Sequence, residues 1–347
     1  VGVAFGARVL KTGIAVTLSL YICMWLKFDG PVIAAVAAIF AVQPSIYRSW
    51  RSLLEQLQSN TLGAAIAMLA GSFFSKEPIA IGLVCILVII LCLKLKMEQS
   101  VSLTLVTVIA VMEASGQWSF ALNRFLLILI GIGSAFILNI LFFPPKPKLQ
   151  FTEQIESVFA RLSLLLRTAI SDEMKESVFR DEKKELEGAL TSLAQKYSLM
   201  EEEMKKLTKS RYREFRHLVV YKQMLHTLRR GMEVLEAVEE HYFQTIRDAA
   251  TDDRFDEHLE KLLKLHEHVL LKYEDKLKAD NMEAQRMEAE NESFMHKTME
   301  LYAERGEDLL RLSIVAAVIY DYGFQVGRLN RLVEQYKGID DKGAMEA

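Results

Sequence analysis

Proline is scarce in this chain, six in 347 residues, and none follows Pro147. A segment without proline has no forced helix break, so long helices are expected from residue 150 onward. Cysteine is scarcer still. Cys23, Cys85 and Cys92 all lie inside apolar runs, where they act as small hydrophobes and not as a disulfide framework. No His or Cys cluster has metal-ligand spacing; His266 and His268 would point from different helix faces and read as solvated tail histidines. Missing too are the Walker sequence that energises transport from ATP, the nucleophile elbow of hydrolases and the HExxH of zinc proteases. These absences weigh against an enzyme and call for no metal and no cofactor.

Charge is what the first part of the chain lacks. Residues 1–148 carry 11 Lys/Arg and 5 Asp/Glu, while the rest carries 31 and 40. One solvent does not suit both parts. The change falls at Pro144-Pro145-Lys146-Pro147-Lys148, where prolines stop a helix and lysines suit a membrane surface. A membrane domain over 1–145 and a helical domain over 146–347 are therefore expected.

Six segments are long and apolar enough to cross about 30 Å of hydrocarbon: about 4–26, 30–47, 59–75, 78–95, 100–116 and 121–143. The fourth runs from Ile79 to Leu93 without a charge, whereas the third and fifth are short and polar. The first resembles a signal sequence, with Arg8 and Lys11 ahead of its apolar run. No small-residue cleavage site follows, so it reads as a retained span. The chain begins at Val1 without Met, which points to a few residues missing upstream. Arg8/Lys11, Arg48/Arg51, Lys94/Lys96 and Lys146/Lys148 mark alternate ends of the spans, against Lys27, Lys76 and Arg124 at the others. By the positive-inside rule this predicts a multi-pass plasma-membrane protein with its N-terminus and its tail in the cytoplasm. The soluble alternative, a large buried core, does not account for alternating basic flanks.

Aligning Gly63 of the third segment with Gly131 of the sixth sets Gln56 against Arg124, a likeness compatible with a 3+3 inverted repeat. Small residues are also ordinary at helix contacts in membranes. Polar groups in hydrocarbon are costly and tend to face the bundle or a wet cavity. Lys11 reads first as a lysine snorkelling to the surface. Gln43 and Pro44 close the second segment, where proline frees carbonyls near Phe40 and gives either a kink facing water or a plain helix end. Asn60 and Thr61 open the third. Ser100, Thr104 and Thr107 share one face of the fifth, a spacing that equally fits hydroxyls bonded back to their own turn. Glu113 and Arg124 flank the fifth loop and could pair at the outer mouth, or stand there as two solvated charges.

The tail is rich in Glu, Lys, Leu, Met and Ala. Helices are expected over about 152–171, 180–207, 210–248, 254–277 and 281–336, packed as a bundle. Ile155, Phe159, Leu162 and Leu166 form one apolar stripe, and residues 249–253 offer an N-cap. Leu309–Ile319 is apolar but too short to span, which suits a core helix. Mixed charge with an acidic balance does not suit nucleic acid.

The runs Arg8-Val9-Leu10-Lys11-Thr12-Gly13, Gln43-Pro44-Ser45-Ile46-Tyr47-Arg48-Ser49 and Asn60-Thr61-Leu62-Gly63 resemble the bacterial aromatic acid exporter family, within the wider fusaric-acid-resistance group. The tail is similar to the helical C-terminal domain of its Gram-positive branch. The chain departs from the wider pattern before the third segment, where Gln56, Gln58, Ser59 and Asn60 stand in place of an arginine. The resemblance implies efflux of aromatic carboxylates.

The sequence thus reads as an all-α protein: a six-helix transmembrane bundle plus a cytoplasmic helical bundle. It is expected to export small organic anions, with the lipid bilayer as its medium and a second copy of itself as a partner. Gln43, Pro44, Asn60, Thr61, Thr104, Thr107 and Arg124 are the expected path residues, Arg124 attracting the carboxylate. The alternative is a scaffold or sensor whose tail binds a partner protein.

Overall fold

The computed structural model describes residues 7–43, 46–74, 77–114, 118–139, 147–170, 175–207, 212–245, 248–277, 282–305 and 310–345. Among them the secondary structure is helical throughout. The chain divides into two compact units, residues 1–146 and 147–347.

The first unit contains α1 (Ala7–Trp25), α2 (Val32–Ala41), α3 (Ile46–Phe73), α4 (Pro78–Lys94), α5 (Val101–Glu113) and α6 (Trp118–Ile137). Two expected segments change shape. The second stops at Ala41, with Val42 extended, two residues before a proline, whose missing N–H and ring do not suit a helix interior. The third is a helix of 28 residues that starts at Ile46, not near 59. Arg48, Arg51 and Glu55 depress its hydropathy there without breaking the helix, since helix formation depends on face and propensity and not on polarity alone. Only Trp118–Ile137, among the described helices, is both long and apolar enough to cross a membrane by itself; Val9–Trp25, Val32–Ala41 and Pro78–Lys94 are apolar but shorter.

Two packings dominate this unit: α2 against α6 and α3 against α5. Each is built on a glycine. A Cβ on Gly63 would lie 2.5 Å from Thr104 Cγ2, and one on Gly131 would strike the Ala34 carbonyl and sit 2.8 Å from the Ala37 Cβ. Absence of a side chain lets the backbones approach, the usual device where apolar helices pair. Around these pairs α1 packs on α2 and α6, while α4 packs on α5 and α3. The outer faces are apolar. Ile79, Leu83, Ile86, Leu87, Ile90 and Leu93 of α4 are all exposed, a surface far more suited to lipid than to water.

The second unit contains α7 (Pro147–Ile170), α8 (Glu176–Leu207), α9 (Tyr212–Ala237), α10 (Ala249–Tyr273), α11 (Met282–Arg305) and α12 (Leu310–Met345). A π-helical turn, Val238–Tyr242, extends α9. The expected 281–336 helix corresponds to α11 and α12, and residues 306–309 between them lie outside the described residues. The N-cap of α10 is Asp248, whose side chain accepts from the Thr251 N–H; residues 249–253 are helix and not cap.

The apolar stripe of α7, with Ile155, Phe159, Leu162 and Leu166 buried, meets Leu259, Leu262 and Leu263 of α10 in one core with Val315, Ile319 and Val326 of α12. Buried polar contacts tie α12 to its neighbours. Gln223 Nε2 donates to Gln325 Oε1 at 3.0 Å, and Lys272 Nζ donates to Asn330 Oδ1 and Glu334 Oε1, both at 2.9 Å. His266, expected in solvent, is fully buried and its Nδ1 lies 2.8 Å from the Tyr322 hydroxyl. It falls on the stripe of Leu259, Leu262 and Leu263 at helical spacing, so the periodicity that buries the leucines buries it as well.

Candidate functional site

The polar residues of the first unit gather on one stripe of α3. Ser49, Ser52, Gln56 and Asn60, spaced three, four and four apart, are all at most 3% exposed. That spacing keeps them on one helix face. Gln56 Nε2 donates to Ser52 Oγ at 3.1 Å, while Gln56 Oε1 is buried without a hydrogen-bond partner. Asn60 Nδ2 donates to the Gln56 carbonyl at 2.8 Å, which turns Asn60 Oδ1 toward α5. There Thr107 Oγ1 lies 2.8 Å from Asn60 Oδ1 and 3.2 Å from the Leu103 carbonyl, so its one proton is shared between helix and neighbour. Thr104, also fully buried, donates to the Ser100 carbonyl at 2.9 Å.

At the start of α3 the stripe meets two other helices. Lys11 Nζ of α1 donates to Asn139 Oδ1, just past α6, at 3.1 Å, and Asn139 Nδ2 donates to Ser49 Oγ at 2.7 Å. Asn139 is 2% exposed. Lys11, expected to snorkel outward, is instead tied to a buried amide. Trp50 and Phe136 bring α3 and α6 together nearby, their rings 5.8 Å apart. Glu55, half-buried on α3, is bound by Arg51 at 2.6 Å.

The structure brings Asn60, Thr104 and Thr107 of the expected path together between α3 and α5. Thr61 is exposed on the far side of α3, bonded to the Leu57 carbonyl at 2.7 Å beside an apolar surface groove with Leu62, Ala65 and Leu95. Gln43 is half-buried after α2, and Pro44 lies outside the described residues. Arg124 is half-buried, its guanidinium 5.0 Å from the centre of the Phe120 ring. Glu113 is exposed at the end of α5 and acts on Arg124 electrostatically, without a salt bridge between them among the described residues. Sequence reasoning gave no site role to Ser49, Ser52, Gln56 and Asn139. A helical wheel drawn from Ile46 would have found the first three; nothing local points to Asn139. Among the described residues no three His, Cys, Asp or Glu side chains come together as a metal site.

A helical unit with an apolar exterior and a buried polar stripe has the build of a membrane transport protein. Residues 101–317 match the fusaric acid resistance protein family, and residues 3–142 match aromatic acid exporter family member 1. The UPF0421 protein YgaE of Bacillus subtilis is 32% identical over 281 residues, covering 79% of this chain and 78% of that one. A UPF0421 protein of Halalkalibacterium halodurans is 30% identical over 176 residues, 49% of each chain. Another, from Oceanobacillus iheyensis, is 26% identical over 160 residues, 45% of this chain and 46% of its own. The chain belongs to the fusaric acid resistance protein family, a family of membrane transporters and not of enzymes.

Proposed function

We propose that this protein exports small organic anions, aromatic carboxylates among them, across the plasma membrane through the helices of its first unit. The observation that carries the reading is the α3 stripe. Four buried polar side chains, one of them an amide with an unpaired end, are costly inside an apolar bundle unless something polar passes or binds there. Asn60, Thr104 and Thr107 would line the route, with Gln43, Pro44 and Thr61 nearer its edges and Arg124, with Glu113 near it, at the outer mouth.

The packing supports a 3+3 repeat. Pairing α1 with α4, α2 with α5 and α3 with α6 turns the α2–α6 contact into α5–α3 and the α1–α2 contact into α4–α5. Both central contacts carry a glycine, Gly131 and Gly63. Three crossings per half make the second copy inverted, an arrangement transporters use for alternating access. The alternating basic flanks support six spans with N-terminus and second unit cytoplasmic. Six helices, two of them short, enclose little space, which supports a homo-oligomer with its pathway at the subunit interface.

The purified full chain, reconstituted in vesicles, is expected to move benzoate outward and to leave glucose unmoved. Vesicles that hold benzoate as well as protein-free ones would refute export. Scaffolding of a partner protein is the second reading, favoured by the separate core of the second unit; a specific protein crosslinked to that unit in cells would support it.

A further inference from the structure

We propose that Lys11 is the carboxylate-binding residue of the first unit, its ammonium positioned by Asn139 and Ser49 where α1, α3 and α6 meet; this rests on the anion-export reading. A lysine near a helix end ordinarily extends its stem to the nearest water. Here the ammonium donates to Asn139 Oδ1, and the Asn139 amide is held in that orientation because its other end donates to Ser49 Oγ. Two almost fully buried side chains from two further helices thus fix the place of one cation. A residue that merely marks the cytoplasmic side needs no such support.

The position suits a charged ligand. Ser49 begins the α3 stripe, and Gln56, with its unpaired amide end, stands two turns further on, about 10 Å along the axis. An organic acid bound to Lys11 by its carboxylate would have a polar partner ahead of it on the same helix face. Glu55, the acid of α3 closest in sequence, is bound by Arg51. The rings of Trp50 and Phe136, next to Ser49 and one turn before Asn139, provide apolar surface beside the cluster. A compact ammonium engages a carboxylate as a point charge, through a charge-assisted hydrogen bond about twice as strong as a neutral one.

The test uses the full chain in lipid nanodiscs, with equilibrium binding of benzoate and, as a neutral analogue, benzamide. Lys11→Gln is expected to weaken benzoate at least tenfold and to leave benzamide within twofold. Lys11→Arg should restore most of the loss, because it keeps the charge. Asn139→Ala should weaken benzoate three- to tenfold by freeing the ammonium. A thermal midpoint within a few degrees of the parent shows that each variant is folded. Unchanged benzoate affinity in folded Lys11→Gln overturns the proposal, as does equal weakening of both ligands. A parent chain that binds benzoate in this Lys11-dependent way yet transports none keeps the site and removes the export reading. A parent chain that does not bind benzoate removes the site.

Discussion

At the scale of single residues, the first unit depends on what its glycines leave out. Gly131 admits the α2 backbone, whereas a Cβ on Gly133 of the same helix would meet nothing within 4 Å. Gly131→Ala is therefore expected to cost about 1–3 kcal/mol through overpacking, since its obstacle is a backbone carbonyl that cannot rotate away. Gly133→Ala should change little or stabilise slightly. Thermal unfolding in one detergent compares the pair, and equal midpoints would show that the α2–α6 contact yields readily. Asn60 makes the complementary point. A single amide satisfies its own helix through Nδ2 and the neighbouring helix through Oδ1, so it fixes the register of α3 against α5 as well as providing polarity.

At the scale of elements, α10 and α12 are joined by His266 and Tyr322, both wholly inside the core. Burial pushes the Tyr322 hydroxyl far up and holds the His266 imidazole down to about 3, from an ordinary 6.5. The folded protein therefore keeps His266 neutral while the unfolded chain takes up a proton below 6.5. Stability is fully present above pH 6.5 and falls with acid, by about 1.4 kcal/mol per pH unit from this group until about pH 3. Denaturant unfolding of the protein at pH 7, 6, 5 and 4 should show this decline, and His266→Gln should flatten it. A decline of the same steepness in the variant would assign the acid sensitivity to other groups.

Elements also show how far a sequence can be read. The helical class was legible throughout, because proline is absent after Pro147 and the apolar period is 3.6. The stripe from Ile155 to Leu166 was legible for the same reason. The start of α3 was not, since a hydropathy window averages over a helix and cannot see that Arg51 points outward while Ser52 points in. His266 was misread by treating its type as evidence of exposure when its position on the stripe was the better guide. In the candidate site, Thr104 and Thr107 could be named from spacing, and Asn60 from its polarity at the opening of the third segment. The contacts of Lys11 could not, because Asn139 lies 128 residues away in sequence and Ser49 a further bond beyond it.

At the scale of the whole molecule, each unit is packed around apolar side chains of its own. Among the described residues, the buried apolar side chains of 147–347 form a single cluster, and those of 1–146 form three smaller ones. A fragment of residues 147–347 is accordingly expected to fold alone in water, with a helical circular dichroism signal and one cooperative transition. A gradual melt, or a fragment recovered only as aggregate, would show that it depends on the first unit. The charge balance agrees with separate media, since the acids and bases of the chain fall mostly after residue 148.

The shortness of α2 bears on the bilayer itself. Ten residues rise about 15 Å, near half the thickness of a hydrocarbon core, and α5 with 13 is little longer. Under the proposed six-span arrangement such helices leave the remaining distance to side chains or to lipid that must thin around them. Each ångström of mismatch carries a modest elastic cost. Acyl-chain length then becomes a control variable in its own right, and a cell that thickens its membrane would load this protein mechanically without altering a single residue.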